Sequence, residues 1–357
     1  MRKYPCLEFD LGKIRHNATT IQKLCSVKGI KIVGITKGFS AIPEIVQTMI
    51  DSGIKLLGDS RLENIQSLKT AGFKNEMMLI RIPMLHEVEQ VVRLASCSLN
   101  SEIVVLEALS SAAVEQGKIH EIILMVDLGD LREGVLPEQI RETIQKILPL
   151  KGIRLMGLGV NLNCVSGIQP TVDNLTELVT LCQKTEKELG LNLKILSGGA
   201  TSSLALVTQD TMPKGINQLR IGEGILLGHT DIFTSLNNTF QDAITLSAEI
   251  IELKQKESTP RGLIFRDAFG QIPKHQNVGV RKRAILAIGK QDVYPDHLSP
   301  LDKALNIIAA SSDHLVVDVT DSSRKYRVGE AIQFQPSYPG ILSATTSKYV
   351  SILFKHE

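Results

Sequence analysis

Between residues 30 and 225 short β-branched apolar runs alternate with longer amphipathic stretches, and few folds accept that texture. The runs fall at residues 32–35, 54–57, 77–82, 97–99, 122–126, 153–160, 193–196 and 219–221. Stretches with helical spacing include 11–24, 42–49, 88–94, 103–114, 140–148 and 172–189. Short continuous apolar strands joined by helices make parallel β/α architecture. Eight such strands within about 200 residues is the number a closed (β/α)8 barrel requires. An open doubly wound sheet has fewer strands and a glycine-rich first turn, and no G-x-G-x-x-G follows Val33 or any other run. The sequence therefore predicts an α/β chain with a (β/α)8 TIM barrel over residues 8–230.

Beyond the barrel the texture changes. Runs at 244–253, 283–288, 314–319, 331–334 and 349–354 read as strands. Turn signals such as Ser258-Thr259-Pro260-Arg261-Gly262 and Tyr338-Pro339-Gly340 separate them. Only 300–308 has helical spacing. A mostly β C-terminal domain is expected over 231–357, with residues 1–7 added to it.

At 357 residues the chain suits two domains. Forty Lys and Arg against 38 Asp and Glu leave a net charge of +2, without the basic block of a nucleic-acid binder. No tryptophan and 4% aromatic residues give no base-stacking platform. No apolar run approaches the roughly 20 residues of a spanning helix, so no membrane partner is expected. Met1-Arg2-Lys3-Tyr4-Pro5 leads into Glu8 and Asp10 without the apolar core of a signal peptide. Five dispersed cysteines (Cys6, Cys25, Cys97, Cys164, Cys182) suit reduced thiols in the cytoplasm. Eight histidines without metal-ligand spacing, and no C-x-x-C, argue against a metal site. Neither G-x-S-x-G nor G-x-x-x-x-G-K-[ST] occurs.

Barrel active sites form at the C-terminal ends of strands. Polar residues stand near those ends: Lys37, Asp59, Arg81, Asp127, Asn161, Asn163, Ser197-Gly198-Gly199 and Arg220. Lys37 directly follows the first run. A low-dielectric barrel mouth lowers an amine pKa and makes it nucleophilic toward carbonyls; a solvated rim lysine is the bland alternative. Ser197-Gly198-Gly199-Ala200-Thr201-Ser202-Ser203 and Arg220-Ile221-Gly222-Glu223-Gly224 are two adjacent turns able to receive an anion, although Gly-Ser-Thr loops are also common as plain turns. Barrels usually hold phosphate after strands seven and eight. A phosphate-bearing aldehyde would satisfy both turns and Lys37 together, and pyridoxal phosphate is such a molecule.

In these residues the chain resembles the alanine-racemase-type, fold-type III pyridoxal-phosphate enzymes, and within them the ornithine racemase branch. Lys37 matches the Schiff-base lysine. Asp127-Leu128-Gly129-Asp130-Leu131-Arg132-Glu133-Gly134 resembles the D-x-G-x-x-R-x-G segment, which puts Arg132 on the substrate. Gly199-Ala200-Thr201-Ser202 stands for an Ala-Asn-Ser segment, giving Thr201 and Ser202 to the phosphate. Arg220-Ile221-Gly222 matches the R-x-G whose arginine faces the pyridine nitrogen, with Gly222 and Glu223 beside it. Ala310-Ser311-Ser312-Asp313-His314-Leu315-Val316-Val317-Asp318 resembles an S-M-D-x-x-M-V-D segment that reaches the partner's active site, implicating Ser312 and Asp313. The Gly-Lys-Gln-Asp-Val and Ser-Ser-Asp-His-Leu wording points to the ornithine branch. The resemblance implies a head-to-tail homodimer acting on a small-molecule amino acid, with Cα proton transfer between two bases.

Departures from that pattern carry expectations too. Lys290 stands where the family has the tyrosine that serves as second base, with Asp292, Asp313 and His314 as alternatives. Asn161 replaces a histidine, and Ala41 replaces a tyrosine. The sequence reaches Glu357 without the Arg-Val-Tyr segment, so a phosphate lacking two tyrosine partners is expected. A side-chain amine on the substrate would need an acid, and Asp292, Asp313 and Glu133 are available. Still open are a racemase of alanine, lysine or another amino acid, a different pyridoxal-phosphate activity, a non-catalytic pyridoxal-phosphate carrier, and a Schiff-base lyase without pyridoxal.

Overall fold

A computed structural model describes residues 3–231 and 234–356. The chain divides into two compact units: Gly12–Gln241, and Met1–Leu11 together with Asp242–Glu357. In chain order, β1 (Cys6–Asp10) and α1 (Leu11–Ser26) come first. The barrel strands follow: β2 (Lys31–Ile35), β3 (Leu56–Asp59), β4 (Met77–Leu79), β5 (Cys97–Asn100), β6 (His120–Val126), β7 (Ile153–Val160), β8 (Ile195–Gly198) and β9 (Gln218–Ile221). Each is parallel to the next, and β9 pairs back to β2, so the sheet has no edge. The helices are α2 (Pro43–Asp51), α3 (Leu62–Thr70), α4 (Val88–Leu94), α5 (Ile103–Glu115), α6 (Ile140–Ile147), α7 (Val172–Leu189), α8 (Leu204–Thr208) and α9 (Glu223–Leu227). The eight-stranded barrel expected from the alternation is the one observed.

Covered on both faces, the strands need no polar side and read as unbroken apolar runs; β2 buries every residue after Lys31. Val33 and Ile35 pack with Met78, Cys97, Leu99, Ile123 and Met125. The outer layer is stripe-like: α6 buries Ile140, Thr143, Ile144 and Ile147, one face of a 3.6-residue period.

A short ribbon of β10 (His229–Asp231) and β11 (Thr234–Ser235) closes the first unit. The second unit holds β12 (Ile244–Glu257), β13 (Val280–Leu286), β14 (Leu298–Pro300), β15 (Asn306–Ala310), β16 (Leu315–Asp318), β17 (Ala331–Pro336), α10 (Tyr338–Thr346) and β18 (Ser351–Lys355). Its order is β14-β17-β12-β13-β16-β15, antiparallel throughout. β1 adds to it, antiparallel to β12 and parallel to β18. Alternate residues Ile244, Leu246, Ala248 and Ile250 of β12 are buried, the period-two signature of a strand on a core.

Two local expectations are corrected. Residues 300–308 are not helical but cross from β14 through a turn into β15. Asp302 accepts the Ala304 amide, the Ser322 hydroxyl and the Tyr326 hydroxyl, and such side-chain capture of the backbone competes with helix formation. Conversely, Tyr338-Pro339-Gly340 opens α10. Proline is well tolerated in a first helical turn, where its missing N–H leaves no bond unmade. The sequence reading also passed over β1 and α3.

Candidate active site

β2 ends at Ile35, and Thr36 leads into a 3₁₀ turn over Lys37–Phe39 that sets Lys37 at the C-terminal end of the barrel. The Thr36 hydroxyl donates to Asp59 Oδ2 at 2.5 Å. Asp59, the buried last residue of β3, also accepts the Arg61 amide at 2.9 Å and Asn64 Nδ2 at 3.1 Å. Burial raises the Asp59 carboxyl pKa against the pull of those hydrogen bonds. Burial also lowers the Lys37 pKa below the ordinary amine range; Cys164 and Asp59 oppose that shift, and Arg132 and Arg220 add to it. Among the described residues no carboxylate lies within ion-pair distance of Lys37. An amine so placed gives up its proton more readily than a free lysine.

Arg220 in β9 is buried. Its Nη1 donates to Ser197 Oγ of β8 at 2.6 Å. Its Nη2 donates to Val160 O at the end of β7 at 2.8 Å, and to Asn161 Oδ1 at 3.2 Å. Burial pushes its pKa down to about 10, with Glu133 and Cys164 working against that and Arg132 with it. It remains a cation at neutral pH. Among the described residues all its hydrogen bonds leave from the two terminal nitrogens, which leaves the Nε donor uncommitted. Asn161 Nδ2 is buried without a partner among the described residues. An orphaned buried donor costs about 1–3 kcal/mol, and a ligand that brings an acceptor relieves it.

The two anion-ready turns are tied to each other. Thr201 starts a 3₁₀ turn after β8, and Gly222 precedes α9 after β9. The Gly224 amide donates to Thr201 Oγ1 at 3.2 Å, which leaves the Thr201 hydroxyl proton to donate elsewhere. Among the described residues, the amides of Thr201, Ser202 and Gly222 have no protein acceptor. Ser202 is half-buried, and Glu223 lies 3.9 Å from His229. Three uncommitted amides beside two hydroxyls form an anion cradle.

The loop after β6 doubles back on its strand: the Val135 amide donates to Met125 O at 2.9 Å and the Asp127 amide to Val135 O at 3.0 Å. Only glycine fits at Gly134, whose φ is +144° and where a Cβ would lie 2.3 Å from the Asp127 nitrogen. That return puts Arg132 and Glu133 at the rim. Arg132 donates to Glu133 through both Nε and Nη2. The buried Asp130 carboxylate accepts the amides of Cys164, Val165 and Ser166, binding the loop after β7 to the loop after β6.

In the second unit, the turn holding Lys290 and the turn holding Ser312 and Asp313 interlock. The amides of Lys290 and Gln291 donate to the carbonyls of Ser311 and Ser312 at 2.9 and 3.0 Å. A Cβ on Gly289 would lie 2.3 Å from Asp313 N, so this approach also needs glycine. Lys290 Nζ stacks 3.7 Å from the centre of the Phe269 ring. Ser312 and Asp313 are exposed, and Asp313 accepts from Ser311 and Ser312. Asp292 is buried and accepts the Gly289 amide and the Ser347 hydroxyl.

Of the residues singled out in the sequence, Lys37, Arg132, Asn161, Thr201, Ser202, Arg220, Gly222 and Glu223 thus gather at strand ends of the barrel. Lys290, Ser312 and Asp313 gather in the β unit. The reading gave no role to Asp130, or to Asp59 beyond its place at a strand end. Asp130 lies at a variable position of its motif, and only the fold reveals the three amides it collects.

The sequence pattern of the family described as "Alanine racemase, N-terminal domain" matches residues 9–229. The chain is 43% identical over 352 residues to an ornithine racemase of Acetoanaerobium sticklandii, covering 97% of this chain and 98% of that one. It is 37% identical over 354 residues to a lysine racemase of Thermotoga maritima, covering 99% of each. Among solved structures, an alanine racemase from Streptomyces lavendulae superposes with a TM-score of 0.78 at 15% identity, covering 99% of this chain and 98% of that one.

Proposed function

Because the chain belongs to the alanine racemase family, we propose that it is an amino-acid racemase that interconverts L- and D-ornithine with pyridoxal phosphate as cofactor, working as a homodimer. The relatives named for ornithine and lysine match along nearly the whole chain, and both of those amino acids carry a side-chain amine. A cytoplasmic setting is part of the proposal, on the strength of five dispersed cysteines.

The chief structural support is a shared location. The lysine with a lowered pKa and the amide-lined cradle follow β2, β8 and β9, which are neighbours in the sheet. The groups present suit the cofactor: Lys37 for its aldehyde, Thr201, Ser202 and the Gly222 amide for its phosphate, and Arg220 Nε for its ring nitrogen. Pyridoxal phosphate bound there would supply the electron sink that acidifies the substrate's Cα–H.

The protein's own groups do the rest. Arg220 donates a hydrogen bond and keeps its proton, since an arginine is a poor acid. Arg132 binds the substrate α-carboxylate through its planar fork. Lys37 takes or returns the Cα proton on one face, which its lowered pKa favours. Lys290 of a second copy serves the other face, with Ser312 and Asp313 beside it.

Purified protein should absorb visible light when loaded with pyridoxal phosphate, and should invert ornithine in deuterated water with deuterium at Cα. Lys37→Ala should lose both properties, and Lys290→Ala should exchange the Cα hydrogen of one enantiomer without inverting it. A protein that stays colourless with added pyridoxal phosphate would sink the proposal.

A further inference from the structure

A diamino acid brings a second positive charge, and three carboxylates could receive it. Asp292 is excluded by burial and by its bonds to Gly289 and Ser347. Asp313 is engaged by Ser311, Ser312 and His314 of its own turn. Glu133 differs: among the described residues its carboxylate is hydrogen-bonded only by the guanidinium of the preceding residue, Arg132, itself the group that would hold the α-carboxylate. We propose, resting on the racemase reading above, that Glu133 is the specificity residue that takes the substrate's side-chain ammonium when Arg132 turns to the α-carboxylate.

The exchange conserves charge. One Arg–Glu ion pair is replaced by two pairs to the same zwitterionic substrate, Arg132 with its carboxylate and Glu133 with its distal ammonium. A substrate without that ammonium also draws Arg132 away, but leaves the half-buried Glu133 carboxylate uncompensated, which is unfavourable. The pair therefore selects against alanine by what it would strand, as well as for ornithine by what it would bind. Both residues lie on the short return held by Gly134 and Val135, so the rim presents them together. Their fields reach the site: that of Glu133 acts on Arg220, and that of Arg132 acts on Lys37 and Arg220.

The test compares ornithine with norvaline, which has the same carbon chain and no distal amine, on the pyridoxal-phosphate-loaded protein. Calorimetric binding and kcat/KM are both measured, and circular dichroism verifies that each variant is folded. Wild type should prefer ornithine, and Glu133→Gln should cut the ornithine-to-norvaline ratio by about tenfold or more, the scale of one charge-assisted hydrogen bond. Glu133→Asp, one methylene shorter, should move preference from ornithine toward lysine. A Glu133 that only steadies Arg132 would weaken both ligands alike, so an unchanged ratio overturns the proposal. A ratio lost instead in Asp313→Asn, with Glu133→Gln unaffected, overturns it in favour of the β unit. Wild type that binds ornithine tightly but does not invert it upholds the Glu133 site while defeating the racemase reading.

Discussion

The hydroxyl of Thr36 donates to the carboxylate of Asp59 across 2.5 Å, and with the Thr36 amide on the Gly58 carbonyl it ties the end of β3 to the turn that presents Lys37. Asp59→Ala removes the acceptor for Thr36, the Arg61 amide and Asn64 Nδ2 at once. Its cost should be about 2–4 kcal/mol, read from urea denaturation. Asp59→Asn keeps an acceptor and removes a charge that raises the Lys37 pKa. The midpoint for borohydride trapping of a small aldehyde on Lys37 should therefore move to lower pH. A midpoint unmoved or moved upward would separate Asp59 from Lys37.

Lys37 should destabilise the cofactor-free protein at neutral pH. Its folded pKa lies below 10.5, chiefly because of burial. The unfolded chain therefore binds the proton more tightly, and stability falls as pH drops from the unfolded pKa through the folded one. Cofactor-free Lys37→Met should be more stable than wild type at pH 7. The difference should shrink as pH rises toward 10.5 and beyond. A difference that is constant over that range would mean that the ammonium is not desolvated.

Arg220→Met keeps bulk and deletes the donor to Ser197, Val160 and Asn161. The loss of these buried charge-assisted bonds should cost about 3 kcal/mol or more in the cofactor-free protein. Loss under 1 kcal/mol would mean that water replaces the guanidinium freely.

Asp130→Ala should loosen the loop after β7 without touching the barrel. The amides of Cys164, Val165 and Ser166 lose their common acceptor. Their hydrogen exchange should speed up by about tenfold or more, while the amides of β6 and β7 keep their protection. Uniformly faster exchange would instead mark a global loss of stability.

Much of the fold is written locally. Barrel strands such as 122–126 are continuous apolar runs because both faces are covered, so no partner need be known to read them. Lys37 and Arg220 stand out because a charge at the end of such a run interrupts its texture. What escaped detection depends on distant partners. β1 is a strand because β12 and β18 flank it. Residues 300–308 share helical spacing with real helices, and the distant Ser322 and Tyr326 hydroxyls bonded to Asp302 help to hold a turn there instead. The Arg132–Glu133 pair was hidden for another reason. Adjacent residues do not face each other on a helix, and they meet here because the return through Gly134 is not helical.

The pairing of β1 with both β12 and β18 has a consequence for biosynthesis. β1 is made before both of its neighbours in the sheet, which begin at Ile244 and Ser351. The barrel residues form one uninterrupted stretch and can close while translation is still under way, in keeping with domain-wise folding during synthesis. β1 must wait without its hydrogen-bond partners until β12 and then β18 have been made. Cys6, Leu7 and Phe9, all fully buried in the finished protein, are the side chains exposed to chaperones during that interval.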